Sequence, residues 1–389
     1  MLHTATCKTA DTMAHAPHQH AAVAWTTAHD RMSQVRTLDR YVGRPAGRAA
    51  VSEGDPARDF LRQARAIIQG LNQPNPWIYW SDFLSTTALG YLCGLLYLRA
   101  AGPWWHTALA FVVCGFALFR TGSFIHEIQH LRQGTLTGFK AAWNLLCGVP
   151  LMMPSFLYDN HASHHRRSTY GTERDGEYLP LGSRKWQHFA NYVTQVFWLP
   201  LAVFFRFLVL SPASLASWTL RRFVHERFSF YGINTRYRHL LPPSQPRAWW
   251  IFIEACCTLR VWLIVIGVAT GWTPWVRPFQ LYAMAVFVLG LNYVRNVVAH
   301  RYRNLGGEMT YLEQLCDSIN ITGRTLLTEL FFPLGLRYHA LHHLFPSLPY
   351  HHLGEAHRRL MAELPPDSPY RRTVYPTFWA ALGQLRAPA

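Results

Sequence analysis

The sequence predicts an all-α integral membrane protein, with about four transmembrane helices in two hairpins, interfacial helices, and a cytoplasmic helical cap carrying clustered histidines. Three observations predict it. Half of the 389 residues are hydrophobic and only 15% are charged, roughly 10 points below a typical soluble domain. Apolar stretches long enough to span a bilayer come in pairs joined by tight Gly- and Pro-containing turns. Histidines gather at helical spacing where those stretches end. The formal net charge of +16 would suit nucleic acid. The basic residues border apolar segments, however, so positive-inside loops and anionic headgroups explain the excess more economically, and no nucleic-acid partner is expected. Seven scattered cysteines without a Cys-x-x-Cys pair indicate neither a zinc knuckle nor a disulfide framework.

Residues 1–60 are rich in Ala, Thr, His and Arg and lack hydrophobic periodicity, which predicts a disordered tail ahead of a membrane domain over 61–389. His3, His15, His18, His20 and His29 share no helix face. No apolar signal-peptide core follows a basic start, so nothing marks the chain for export. Residues 57–70 form an amphipathic surface helix closed by Gly70, with Arg on the wet side. The first hairpin is Leu84–Ala101 and Trp104–Ile125, turned by Gly102-Pro103. Residues 141–157, broken by Pro150 and Pro154, are too short to span with ease and read as re-entrant or interfacial. Residues 186–210 are long enough to cross, yet Pro200 and Arg206 interrupt them. An interfacial helix there keeps all the histidine clusters on one side. A second hairpin, Trp249–Thr270 and Trp275–Val298, returns the chain to that side. Arginine is concentrated on the side of the chain ends, which predicts N-in and C-in in a bacterial inner membrane.

The histidines carry the chemistry. His126 and His130 lie four apart, and His161, His164, His165 and His339, His342, His343 each repeat an i, i+3, i+4 pattern, with His300 between. Imidazole suits iron, zinc, copper or nickel. Nine rings exceed what one ion uses, since a structural zinc takes four ligands. Two metals would receive four or five rings each, with positions left open. His106, His188, His225 and His239 stand singly, and His351, His352 and His357 follow the last cluster without being needed as ligands.

One HxxxH box, two HxxHH boxes, the run His342-His343-Leu344-Phe345-Pro346-Ser347-Leu348-Pro349 and Asn296-Val297-Val298-Ala299-His300 together resemble the membrane fatty acid desaturase family over about residues 75–360. The resemblance implies a di-iron enzyme that uses dioxygen and two external electrons to remove hydrogen from the acyl chain of a membrane lipid or acyl thioester. It implies that His126, His130, His161, His164, His165, His300, His339, His342 and His343 ligate iron, and that Asn296 acts through water. With no fused haem domain recognisable, a separate ferredoxin-like donor and its reductase are expected to dock on the arginine-rich face. His339 opening the third box disfavours the front-end type. Carboxylates available to orient the rings are Glu127, Asp159, Asp175, Glu177, Glu308, Asp317 and Glu329, with Glu127 and Asp317 ranked first.

Three other readings compete. A lipid or carotenoid hydroxylase or ketolase would use the same scaffold. His126-Glu127-Ile128-Gln129-His130 also matches the zinc-protease motif HExxH, which leaves seven histidines unexplained. A non-catalytic receptor would have had no reason to keep every box residue. The His-Leu-Phe-Pro continuation puts desaturation ahead of hydroxylation by analogy.

Overall fold

In the computed structural model the described residues are 56–132, 134–183, 185–228, 237–239, 247–304, 306–323 and 325–386. The chain divides into two compact units, 1–63 and 64–389. The expected disordered tail falls almost wholly on residues 1–55, outside the described residues. Helix α1, Pro56–Ile67, places Asp59 in its first turn and Arg65 in its last, each favourable to the helix dipole. Gly70 follows with φ +91°, a left-handed stop that glycine adopts without strain.

The second unit is built on long helices. α2, Pro76–Arg99, starts on an Asn75 cap that accepts from the Trp77 amide, with Pro76 in the first turn. α3, Trp104–His130, returns beside it. The hairpin closes at Gly90, where a Cβ would come within 2.9 Å of Leu118, while Gly115 on the second helix admits the Phe287 ring of the later helix 277–297, to which a Cβ would come within 2.3 Å. Across the hairpin Arg120 makes a two-pronged, part-buried contact with Asp82, at 2.8 and 2.5 Å.

Residues 139–158, read from sequence as re-entrant or interfacial, form a broken series of short helical turns. A short helix, Phe139–Trp143, passes into a π-turn, Asn144–Gly148, and a 3₁₀ turn, Ser155–Tyr158, closes the excursion. The Asn144 side chain bonds both Ser155 Oγ and the Ser155 amide at 2.9 Å. A polar clasp thus satisfies backbone that has no helix to continue into.

The stretch read from sequence as an interfacial helix is one continuous rod, long and apolar enough to cross a bilayer. α4, Trp186–Phe205, runs through Pro200 into a π-turn, Arg206–Leu210, and on to Ala216. Arg206 does not break it because its guanidinium turns inward, 3.2 Å from Glu254 of α5, Arg247–Ala269. Ser211 and Arg221 bond the same carboxylate at 3.0 and 2.7 Å. α6, Arg277–Val297, follows α5 in the chain and packs on α3 and α4.

Among the described residues, three helices are long and apolar enough to cross a bilayer: Trp104–His130, Trp186–Ala216 and Ala248–Ala269. That differs from the four expected. α2 and α6 are helical over 24 and 21 residues, but Asp82 on one and Arg295, Asn292 and Asn296 on the other lower their hydropathy. These polar groups face protein or cavity, which is where polar groups are tolerated in a membrane helix.

The remaining chain forms a helical cap with α7, His339–Leu344, and α8, Tyr350–Glu363. Its two short strands, Asn320–Ile321 and Val374–Tyr375, pair in parallel. Asn320 is fully buried. Its amide donates to Thr373 Oγ1 at 2.8 Å and its carbonyl accepts from the Leu341 amide at 3.1 Å.

Candidate metal centre

All nine box histidines converge. His126, His130, His161, His165 and His342 form one group and His164, His300, His339 and His343 another, with ligand-capable atoms in each group within 4.8 Å of one another. Helix geometry explains the division. In each HxxHH box the first and last residues lie four apart and share a face, while the middle residue, about 100° round from the last, points elsewhere. Accordingly 161 and 165 join one group and 164 the other, whereas 339 and 343 join the second group and 342 the first. Each box therefore serves both groups. His126 and His130 come from the end of α3, and His300 sits just past α6 in a bridge to Ser318.

Within the groups Nε2 atoms face one another at close range. His161 and His165 are 3.0 Å apart, His164 and His300 3.1 Å, His300 and His339 2.9 Å, His339 and His343 3.2 Å, and His165 and His342 3.2 Å. Two donors ~2.1 Å from a shared ion and at right angles to it would be separated by about 3.0 Å. Both ring nitrogens of His126 and Nε2 of His130 are buried with no hydrogen-bond partner, a cost that a coordinated ion removes. Burial first, then the crowding of like rings, drives His165, His342 and His343 well below the usual histidine pKa. Burial followed by neighbouring rings and Arg295 does the same for His300 and His339. Neutral rings keep the lone pair that a metal needs. The donor set fits two first-row transition metals.

The outer nitrogens are tied down. Glu177 lies 2.8 Å from His161 Nδ1 and Asp175 2.8 Å from His164 Nδ1. Tyr170 Oη is 2.8 Å from His300 Nδ1 and 2.7 Å from Asp317, which Tyr178 also bonds at 2.8 Å. Burial opposes charge on Glu177, but the His161 ring outweighs it and holds the carboxyl down to about 2. Burial likewise opposes charge on His164, yet Asp175 lifts it above its ordinary value. Fixing Nδ1 fixes which nitrogen faces inward.

This corrects the ranking of the carboxylates. Asp317 serves, through tyrosine, but Glu127 stands 3.9 Å from His126 Nδ1 and binds Tyr79 Oη at 2.7 Å and the Tyr350 amide at 3.3 Å. A carboxylate held this way is no general base, and a five-ring group is not the two-histidine zinc site of a protease. Glu308 is exposed, Asp159 sits 3.7 Å from Lys140, and Glu329 3.7 Å from Arg337. Sequence reasoning missed Tyr170 and Ser318 altogether. The spacing Asp175-x-Glu177 just after the second box was the one available signal for the pair that matters most. His106, His188, His225, His239, His351, His352 and His357 join neither group. His351 instead accepts from the Asn75 amide at 3.0 Å, and His357 contacts Tyr370 Oη at 2.7 Å.

Two voids adjoin the rings. A pocket of about 20 Å³, touched by His126, His164, His300, His339 and Asn296, has room for one water-sized group. Asn296 borders it beside the rings. A cavity of about 650 Å³ runs between α2, α3, α4, α5 and α6, walled by residues such as Leu118, Val203, Ile264, Met284 and Val288, and ends at His126 and Asn296. Its walls are mainly apolar, with Asn292, Arg295 and Glu177 toward the ring end and Arg260, Tyr91 and Tyr97 elsewhere. That shape suits a lipid chain brought end-on or folded to a metal.

The sequence profile of the fatty acid desaturase family matches residues 102–375. A ceramide hydroxylase of Caulobacter vibrioides (strain NA1000 / CB15N) is 38% identical over 330 residues, 84% of this chain and 93% of that protein. With the boxes assembled, the channel beside them and the profile spanning most of the fold, the chain is a member of the fatty acid desaturase family, a histidine-box di-iron oxidoreductase acting on lipid chains.

Proposed function

We propose that this protein is an oxygen-dependent lipid hydroxylase acting on a ceramide. The observation that carries the reading is the 38% identity to a ceramide hydroxylase along nearly the full length of both chains. It reverses the order set by the His-Leu-Phe-Pro run, which favoured desaturation. Desaturation of an acyl chain is the second reading, kept by that run alone.

In this proposal the nine histidines hold two irons, five rings on one and four on the other, and Asn296 holds a water. Iron so bound supplies the oxidising power, from dioxygen and two electrons, to attack an unactivated C–H bond. The chain's own residues do the rest. The apolar cavity takes the lipid tail and keeps bulk water from the oxidant. Glu177, Asp175 and the Tyr170–Asp317 pair hold the Nδ1 protons, so the inner nitrogens stay aimed as charge builds and decays.

Both chain ends and the metal centre are proposed to face the cytoplasm of a bacterial inner membrane. There a separate ferredoxin-like protein and its reductase would deliver electrons to the arginine-rich face. Electron delivery should weaken steeply as salt rises. Salt-indifferent turnover would remove the docking proposal.

The test is expression in a bacterium supplied with ceramide, followed by mass spectrometry of its lipids. Hydroxylation gives a product one oxygen heavier, abolished by His342→Ala. A product two hydrogens lighter moves the assignment to desaturation. One zinc and no iron per chain would end both readings.

A further inference from the structure

Arg295 is a charge at the metal end of a mainly apolar cavity, where Glu177 also lines the wall. It is 8% exposed and borders both the long cavity and the small pocket shared with His126, His164, His300 and His339. Its Nε and Nη2 donate to Asn292 Oδ1, at 3.3 and 3.0 Å, and no described carboxylate pairs with it. Asn292, one turn earlier on α6, also lines the long cavity. A guanidinium is always charged and presents five N–H donors in a planar fork. Asn292 engages Nε and Nη2, and the residue borders both voids, so an acceptor there can meet donors that Asn292 does not use. A channel serving hydrocarbon alone gains nothing from such a group at its metal end.

We infer that Arg295, oriented by Asn292, is a specificity-determining residue that binds an oxygen acceptor of the lipid next to the carbon being oxidised. The acceptor is an amide carbonyl or hydroxyl, as in an N-acylated sphingoid lipid. Reach limits the distance between the two. The reacting carbon must come within about 3–3.5 Å of the attacking group, and the acceptor within roughly 3 Å of an Arg295 nitrogen. Because Arg295 and the rings share one small pocket, acceptor and carbon lie only a few bonds apart. Oxidation therefore falls near the polar end of the lipid, not in mid-chain. This deepens the hydroxylase proposal and rests on the cavity being the lipid's path.

The test compares two probes on full-length, iron-loaded protein in detergent: a ceramide, and an n-alkane of the same chain length that has no acceptor. Arg295→Met should weaken ceramide binding about 10- to 100-fold, the loss of a charge-assisted hydrogen bond, and leave alkane binding within about twofold. Arg295→Lys, which keeps the charge and loses the fork, should recover only part of the loss. Equal weakening of both probes, no weakening, or full recovery with Lys overturns the inference. If Arg295→Met fails to fold or load iron, Asn292→Leu carries the test, with a smaller loss expected for ceramide alone and an equal effect on both probes refuting it. Product analysis separates this inference from the reading beneath it. A double bond in the product with the probe contrast intact would sink the hydroxylase and leave acceptor recognition standing. A hydroxylated product with both probes weakened alike would do the reverse.

Discussion

Replacing Tyr170 by Phe should loosen one metal and not the other. Tyr170 is fully buried, and its hydroxyl links His300 Nδ1 at 2.8 Å to Asp317 at 2.7 Å. The substitution removes one oxygen and leaves the ring packing intact. Asp317 keeps Tyr178 at 2.8 Å and the Arg303 amide at 3.0 Å, so the carboxylate stays satisfied. His300 keeps only Ser318 Oγ, at 3.2 Å. A hydrogen bond polarised by a carboxylate contributes about 1.5–3 kcal/mol. The Ser318 contact places the loss near the lower end, about tenfold in metal affinity at 1.4 kcal/mol per decade. His300 belongs to the four-ring group. Graded chelator treatment of purified, iron-loaded protein, with metal counted per chain, should release that ion at about tenfold lower chelator while the five-ring ion holds as in the wild type. Parallel release of both ions, or a curve that overlays the wild type, would refute the argument that Tyr170 orients one group.

Further outcomes follow from other parts of the fold. A Cβ on Gly122 would meet only Met153, at 3.7 Å, so Gly122→Ala should be tolerated. Gly122→Leu should fill the channel one turn below His126 and abolish product at unchanged iron content, and retained product would show that the lipid takes another path. Glu254→Gln takes the carboxylate from Arg206 and Arg221 and should cost roughly 3–5 kcal/mol, read as a lower unfolding temperature in detergent. His357 is buried on α8, and burial, then Arg337 and Arg358, push it down to about 4. Its unfolded value is near 6.5, so the unfolded chain takes up the proton first. The stability of α8 should be complete above about pH 6.5 and be lost as pH falls toward 4. Hydrogen exchange over Tyr350–Glu363 measures this, and a His357→Gln variant with the same pH slope would exclude His357 as the cause.

The metal-centre residues were legible because histidine spacing survives any uncertainty about topology. An i, i+4 pair shares a helix face wherever the helix goes. The division of each box between two ion sites was not read, although it follows from the 100° step between neighbouring residues. The paths of α2, α4 and α6 were harder. Hydropathy registers a charge but not its partner, so Arg206 looked like an interruption until Glu254 was beside it, and Asp82 weakened α2 without any sign of Arg120. Tyr170 was invisible for a related reason. A tyrosine 130 positions from the histidine it orients leaves no local trace in the sequence.

The Asn320 clasp bears on when the enzyme can be made. One buried side chain holds the start of the third histidine box through Leu341 and the tail through Thr373, while the neighbouring strands pair through Val374 and Tyr375. The rings themselves span residues 126–343, but the segment that locks the last box in register is translated after every ligand. A nascent chain lacking it holds all nine histidines and not yet the frame that aims them. The frame that orders the last ligands is thus completed only when the tail closes on the cap.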